Sequence, residues 1–490
     1  MLQTGSVGKQ SGFYLLVLLT LIAIISGAFL VKIFGTSAQK ASRDSRTEAA
    51  LAQAKEALIF YAASYADAHP GEVPGYLPCP DDGTSGEGTP ATASSACTLK
   101  DVTALGRLPW KTLGLPDLRD GNQECLWYAV SGNFKANVNK TDLMNWDTNG
   151  LITVLTRDGT AVATGNTPSG AAAVIFAPGP AIGSQSRAAG SSVTPVCGGN
   201  YTAAGYLDSS AGTDNATLTG GANSVDTFIA GAPGNTFNDR LVFIRAKDVF
   251  DAIERRQHVD PVNPTGPRIS FSGLLGEVTQ RTAECIANYG TNNNKKSGDQ
   301  RLPWTTDQPF SSDNYGPNKN YDDGSKTRFG HTPWNAGGSK ADTGNTMTGN
   351  TLLSTTNCPG WSAIDPWWQN WKDHIYYAPS KNFAPDAKTP NDCGGKTECV
   401  TLNGSSTQYA GIVFFAGKRL SSQNRSNDAN ASTSAAKSDL SNYLEGANAT
   451  VPSTKAGKEG KGSYQTGAET STFNDRLYCI NQDLSVIPCP

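Results

Sequence analysis

Between Lys9 and Lys32 this chain carries no charge, and from Phe13 the stretch is almost wholly apolar. A run of ~20 such residues is long enough to cross a bilayer as a helix. The helical signal does not stop there. No proline occurs from Phe13 until Pro70, and Leu51, Ala54, Leu58, Tyr61 and Tyr65 recur at steps of three and four, with Gln53, Lys55 and Glu56 off that stripe. Such spacing belongs to an amphipathic helix. The pattern predicts one helix over 13–68, roughly 80 Å long at ~1.5 Å per residue. Segment 13–34 would be its membrane span, and the remainder would pack on a globular domain.

Ten cysteines follow the span: Cys79, Cys97, Cys125, Cys197, Cys285, Cys358, Cys393, Cys399, Cys479 and Cys489. None forms a C-x-x-C pair, so zinc ribbons and thioredoxin-type redox sites are disfavoured. An even set scattered through Gly/Asn/Ser/Thr-rich surroundings reads as disulfides in an oxidising compartment such as the periplasm. Proximity suggests Cys79–Cys97, Cys393–Cys399 and Cys479–Cys489. The flanking charge argues the other way: Lys32, Lys40, Arg43 and Arg46 follow the span and only Lys9 precedes it, which by the positive-inside rule favours a cytoplasmic C-terminus. The cysteines are given the greater weight.

A short polar leader ending in Gly12, then Phe13 at the head of an apolar helix that continues as an amphipathic one, resembles the type IV pilin and type II secretion pseudopilin superfamily. Ala52–Ile59 and the later Gly75-Tyr76-Leu77-Pro78-Cys79-Pro80 also look like large pilin-like proteins of Gram-negative bacteria. The resemblance implies that 1–12 is a leader cut after Gly12 by a prepilin peptidase, which methylates the new N-terminus at Phe13. It implies an inner-membrane anchor, periplasmic C-terminal domains, which an assembled filament would carry outside the cell, and other pilins or pseudopilins as partners through the N-terminal helix. A C-terminal disulfide loop such as Cys479–Cys489 is common in pilins. The sequence departs from the family at Val17, where most members have Glu; that favours a minor, tip-like or accessory subunit. Two plainer readings stand beside it: an unprocessed signal anchor, and a secretory signal cut near Ser26-Gly27-Ala28.

The globular part looks duplicated. Tyr128–Phe134 matches Tyr377–Phe383, Val174–Ala177 matches Val413–Ala416, Ser184–Arg187 matches Ser422–Arg425, and Thr236–Leu241 recurs identically as Thr472–Leu477. A fifth pair, Arg107-Leu108-Pro109-Trp110 with Arg301-Leu302-Pro303-Trp304, keeps the order at a shorter offset. So long a period marks a repeated domain, not a solenoid. Each half then reads as a helix (the end of the long helix, and Phe271–Tyr289) on a small antiparallel sheet, an α+β arrangement that the resemblance also implies. The expected organisation is a pilin-like domain over 69–258, a Pro-rich linker over 259–268 and a second pilin-like domain over 269–490. The 52 glycines and 27 prolines mark Asp82–Ser95, Gly183–Asn223, Ser311–Asn350 and Ser421–Ala436 as loops.

Signals of catalysis are few. His69, His258, His331 and His374 have no neighbour at metal spacing, and no H-E-x-x-H, G-x-S-x-G or P-loop pattern occurs. Gly83–Gly88 is glycine-rich but follows no strand. The repeated Asn238-Asp239-Arg240 and Asn474-Asp475-Arg476 read first as turns bonding their own backbone. Calcium is the rival reading, with Asp322-Asp323, Asp239 or Asp475 as oxygen ligands. Trp361, Trp367, Trp368, Trp371, Tyr376 and Tyr377 read as core packing, with a binding surface as the alternative. The net charge of −3 gives no reason to expect nucleic acid. The expected function is a non-enzymatic minor pilin or pseudopilin-like subunit without a cofactor; the alternative is an anchored periplasmic binding or adhesion protein outside any filament.

Overall fold

In the computed structural model the long helix α1 runs without a break over Ser11–Ala68. The described residues are 11–490 without 93–94, 137–142, 190–195, 293–299, 306–327, 334–351, 356, 386–391, 395–398, 426–438 and 451–461, and over 11–37 only the helical backbone is described. The side chains of the 13–34 segment, Phe13 among them, therefore lie outside the described residues, as do residues 1–10 of the expected leader. Among the described residues no helix is long and apolar enough to cross a membrane. Past residue 46, α1 buries Thr47, Ala50, Leu51, Ala54, Leu58, Ala62 and Tyr65 at helical spacing, so its apolar stripe is spent on the sheet it lies against.

The first half follows as α2 (Ser95–Thr98), β1 (Ala104–Arg107), β2 (Trp127–Val130), β3 (Ile152–Thr156), β4 (Ala161–Ala163), β5 (Ala171–Ala177), β6 (Ser209–Ser210), β7 (Thr213–Asp214), β8 (Asp226–Ala230), β9 (Arg240–Arg245) and α3 (Ala246–Glu254). Central β5 is buried along its whole length; β2 and β9 flank it antiparallel, and β3 continues the sheet with β4 and β8 beside it. Alternation sends Tyr128, Val130, Ala173 and Ile175 toward α1 and Trp127, Ala129, Val174 and Phe176 toward Tyr206 and Phe228 on the opposite face, as the period of a strand requires. Helix α3 packs back beside α1 with Val249, Phe250 and Ile253 buried.

The expected linker 259–268 joins two paired strands, β10 (Gln257–His258) and β11 (Ile269–Ser270). The second half continues with α4 (Phe271–Asn292), β12 (Gly330–His331), α5 (Trp361–Trp371), β13 (Ile375–Pro379), β14 (Val400–Leu402), β15 (Gln408–Tyr409), β16 (Gly411–Phe415), β17 (Gly462–Tyr464), β18 (Arg476–Ile480) and β19 (Val486–Pro488). Its main sheet has the order β12-β13-β16-β18-β19, and β15-β14-β17 form a separate small sheet. The chain is thus α+β, with helices laid on largely antiparallel sheets.

The ladders repeat. Tyr128 pairs with Ile175 and Tyr377 with Val413; Phe176 pairs with Leu241 and Phe414 with Leu477. By this register Val174 corresponds to Ile412, one residue away from the Val174–Val413 match of the bare sequence. The fifth sequence pair is also corrected. Tyr128 Oη donates to the Pro78 carbonyl at 3.1 Å and Tyr377 Oη to that of Pro303 at 3.3 Å. Leu77 and Leu302 N–H groups donate to the carbonyls of Phe134 and Phe383, both at 2.7 Å. Leu302-Pro303 therefore stands where Leu77-Pro78 does. The counterpart of Arg107-Leu108-Pro109 is His331-Thr332-Pro333, because Gly106 faces Tyr128 as Gly330 faces Tyr377. Four identical letters were shared by two unrelated turns.

All ten cysteines are paired: Cys79–Cys97, Cys125–Cys197, Cys285–Cys358, Cys393–Cys399 and Cys479–Cys489. Each bridge stays within one half. Five disulfides indicate an oxidising, extracytoplasmic compartment. The halves are held together by packing instead. One continuous apolar cluster runs from Leu51, Leu58 and Ile175 to Leu275, Ile286 and Trp371. Trp146 stands edge-on to Trp371 with ring centroids 4.6 Å apart.

Candidate functional site

The repeated Asn-Asp-Arg turns close two polar cores that match bond for bond, with Glu445 in the place of Asp208. In the first half, Asp208 Oδ2 accepts the N–H groups of Asn238 (2.6 Å) and Asp239 (3.2 Å), while Asp239 Oδ2 accepts from Asp208 N–H (2.8 Å) and Asn215 Nδ2 (2.9 Å). In the second, Glu445 Oε2 accepts from Asn474 (3.0 Å) and Asp475 (3.2 Å), and Asp475 Oδ2 accepts from Glu445 N–H (3.0 Å) and Asn448 Nδ2 (2.9 Å). The Ser-Gln-x-Arg words supply the rest. Gln185 Nε2 donates to Asp208 Oδ1 at 2.8 Å and Gln423 Nε2 to Glu445 Oε1 at 2.6 Å. Arg187 and Arg425 each donate to that Gln and to three backbone carbonyls. Each guanidinium also lies over a tyrosine ring, Tyr206 at 4.7 Å and Tyr443 at 4.8 Å.

Each core therefore brings two buried carboxyls together. Burial pushes Asp239 up to about 7. Burial and then the Glu445 carboxyl beside it push Asp475 up to about 8. Burial raises Asp208 as well. Asp239 Oδ1 and Asp475 Oδ1 make no hydrogen bond among the described residues, so the charged form of each carboxyl is only partly satisfied. Burial therefore favours the protonated form inside each turn. As calcium ligands these residues are poorly placed, since their other oxygens are taken up by N–H donors. Among the described residues no three His, Cys, Asp or Glu side chains gather to hold a metal ion, and Asp322-Asp323 lie outside the described residues. The two arginines of the motif serve as ties. Arg240 reaches Asp44 on α1 at 2.7 Å, and Arg476 donates to the Ser272 carbonyl on α4 at 2.9 Å.

The seam between the halves holds a second cluster. His374 Nε2 lies 3.1 Å from Asp147 Oδ2, and Arg425 Nη1 lies 3.7 Å from the same oxygen. Burial would raise the Asp147 carboxyl, but His374 and Arg425 together outweigh it and hold the group below the usual range. Burial lowers His374 against the pull of Asp147. The His374 ring sits among Trp146, Trp371, Phe415 and Tyr443. A buried Asp–His pair resembles part of a catalytic triad, yet here it is sealed from solvent. Its neighbours Met144 and Asn145 are docked on Asn370 by two hydrogen bonds.

The aromatic cluster is core: Trp361, Trp367, Trp368, Trp371, Tyr376 and Tyr377 are all buried, which removes the binding-surface alternative. The four histidines stay apart. His69 stacks on Tyr65, while His258 and His331 bond the carbonyls of Ile253 and Ile375. The Gly83–Gly88 loop wraps an anion of its own: Asp81 Oδ1 accepts from Gly83 N–H (2.8 Å) and Oδ2 from Gly88 N–H (2.6 Å). A cavity of ≈ 140 Å³ opens where α1 meets the first sheet, lined by Lys40, Asp44, Thr47, Asp120, Asn238 and Arg240 among others. Sequence reading missed Asp208, Glu445 and the Asp147–His374 pair. The repeated Ser-Gln-x-Arg word was the one available signal, since a polar word kept in both halves needs a polar partner kept in both. Comparisons with protein-family models, with curated proteins and with solved structures returned no match for this chain.

Proposed function

We propose that this chain is a minor pilin or pseudopilin-like subunit, a structural and non-enzymatic component of a type IV filament or type II secretion-type assembly. The observation that carries the reading is α1: 58 residues in one helix, about 87 Å at ~1.5 Å per residue. Its end is built into the first core and its beginning is uncharged and apolar. Such a helix can serve two environments at once, a globular domain and an apolar layer of lipid or neighbouring helices. The repeated helix-on-sheet halves support two tandem pilin-like domains, and the disulfides support a periplasmic or extracellular location. On this reading a prepilin peptidase removes 1–12 and Phe13 becomes the methylated N-terminus. Val17 puts no charge in the apolar layer, so none needs a neighbour's amine; this favours a low-copy position.

The test is the mature N-terminus. Mass spectrometry of protein from cells with active prepilin peptidase should find a methylated peptide beginning at Phe13, and Gly12→Leu should leave the leader attached. Recovery of the wild-type chain with residues 1–12 intact would overturn the reading.

A further inference from the structure

Where α1 enters the first core it carries three cations that nothing else in the fold uses. Lys40, Arg43 and Arg46 are exposed, and among the described residues none of their side chains has a hydrogen bond or an ion pair. The carboxylates on the same turns are engaged: Asp44 meets Arg240 at 2.7 Å and Glu48 faces the same guanidinium at 3.8 Å. With Arg240 counted, four cations stand against two carboxylates, so this stretch stays positive. Helical geometry sorts them. Thr47 is the buried contact, its Oγ1 accepting from Gly121 N–H at 2.9 Å. At ~100° per residue Arg43 and Arg46 fall to one side of Thr47, and Asp44 and Glu48 to the other. Lys40 lies about two turns nearer the N-terminus, beside Arg43 at the i, i+3 spacing.

We propose that Lys40, Arg43 and Arg46 form a collar that binds the phosphates of anionic phospholipid headgroups where α1 leaves the bilayer. This placement rests on the reading that 13–34 spans a membrane. The helix is unbroken from there, so the three residues stand about 9, 14 and 18 Å beyond Phe34 at ~1.5 Å per residue. Headgroups extend about 5–8 Å past the hydrocarbon, and long basic side chains bend their charged ends toward such a layer. Lys40 and Arg43 thus reach the phosphates, and Arg46 stands within about a Debye length of them. The disulfides put the folded part on the extracytoplasmic side, where the positive-inside rule expects no excess of Lys and Arg. Anionic headgroups give those charges a partner on that side. A second copy of the chain does not, since it would bring the same positive flank.

The test places the full chain in phosphatidylcholine vesicles with a trace of spin-labelled lipid, and electron paramagnetic resonance reads the fraction of label held by the protein. Labelled phosphatidylglycerol should be held roughly fivefold better than labelled phosphatidylcholine, the factor for one headgroup on one cation near the surface. The combined variant Lys40→Gln, Arg43→Gln, Arg46→Gln alters only exposed side chains without partners, and it should lose most of that preference. Flotation with unlabelled phosphatidylcholine vesicles scores the anchor separately. A chain that floats but holds both lipids equally, or whose variant keeps the preference, overturns the collar and not the anchor. Displacement of the labelled lipid by inorganic phosphate, beyond what chloride of equal ionic strength causes, would mark a free-phosphate site and also overturn it. A chain that does not float overturns the anchor and the collar together.

Discussion

The two halves keep the same polar core and share none of their disulfides. Asp208, Asp239, Gln185 and Arg187 in the first half have Glu445, Asp475, Gln423 and Arg425 in the second, with the same backbone groups bonded at nearly the same distances. Bridges and edges, by contrast, differ: Cys479–Cys489 pins β19 onto the second sheet, and among the described residues the first sheet has neither an equivalent bridge nor an equivalent strand. A buried polar network resists piecemeal change, since losing one member strands the others without partners. A disulfide acts mainly on the unfolded chain, so one loop can be stapled without re-tuning its neighbours. The interior of this fold is therefore the conservative part of the comparison, and the loops are the variable part.

The sharpest way to break that comparison is to remove the matched arginines one at a time. Arg425→Ala strands three carbonyls, the Gln423 amide oxygen and the Asp147 carboxylate, and its side chain is fully buried. Deleting one partner of a buried charge cluster costs about 3–5 kcal/mol, and this case belongs at the upper end. Arg187→Ala should cost less, about 1–3 kcal/mol for stranded acceptors, because its side chain keeps 10% exposure and its ion partner Glu124 can turn to water. Chemical denaturation of both variants measures the difference. Equal losses would mean that the seam contact of Arg425 adds nothing.

Bridge removal comes next in size. Cys125–Cys197 and Cys285–Cys358 span 72 and 73 residues, one in each half, while Cys479–Cys489 spans 10. On loop-closure entropy alone, replacing both cysteines by serine should cost about 4 kcal/mol for either long loop and about 3 kcal/mol for the short one. The short one carries the more telling readout. Once β19 is released, deuterium exchange along Arg476–Ile480 should approach that along Arg240–Arg245. If β18 stays protected, strand pairing and not the bridge holds that edge.

Much of this was legible in the sequence, and what was not has a common cause. The α1 stripe, α4, the repeat, the buried tryptophans and the three short disulfide loops all rest on local spacing or on words that recur. The long bridges of Cys125 and Cys285 rest on approach in space, which spacing does not encode. Strand register is likewise a property of pairs: Val174–Val413 looked right letter by letter, and the ladders shift it by one. The carboxyl pairs are about 30 residues apart in each half, and Asp147 meets His374 across the whole molecule, so no motif could have announced them.

Titration separates the cores from the seam. Asp239 and Asp475, raised to about 7 and about 8, hold protons in the folded protein that the unfolded chain has already released. Stability should therefore fall as pH rises from the ordinary carboxylate range through 7 to 8, by up to about 1.4 kcal/mol per pH unit for each group. Asp239→Asn and Asp475→Asn should each flatten that slope. His374 is lowered, so its contribution is complete above its usual value and is lost as pH falls from there through the folded one. Asp147, also held low, fails in the same direction. Falling pH should loosen the seam and rising pH, up to about 8, the two cores, and exchange mass spectrometry across pH would show whether those regions respond in opposite directions.

The smallest effect concerns the arginine that follows each Asn-Asp pair. Arg240 meets Asp44 at 2.7 Å, with Glu48 at 3.8 Å, and so fastens the first sheet to α1 through charge. Arg476 fastens the second sheet to α4 through the Ser272 carbonyl and holds Glu469 at 3.4 Å in the open. Neither guanidinium is buried, and exposed ion pairs contribute about 0–1 kcal/mol, less as salt rises. Arg240→Gln should cost about 0.5–1 kcal/mol in dilute buffer and less in 1 M salt, because its partners are both carboxylates. Arg476→Gln should cost less and respond weakly to salt, since glutamine can still donate to a carbonyl. Denaturation midpoints at two salt concentrations test this, and an equal salt response would show that the two ties work by the same chemistry after all.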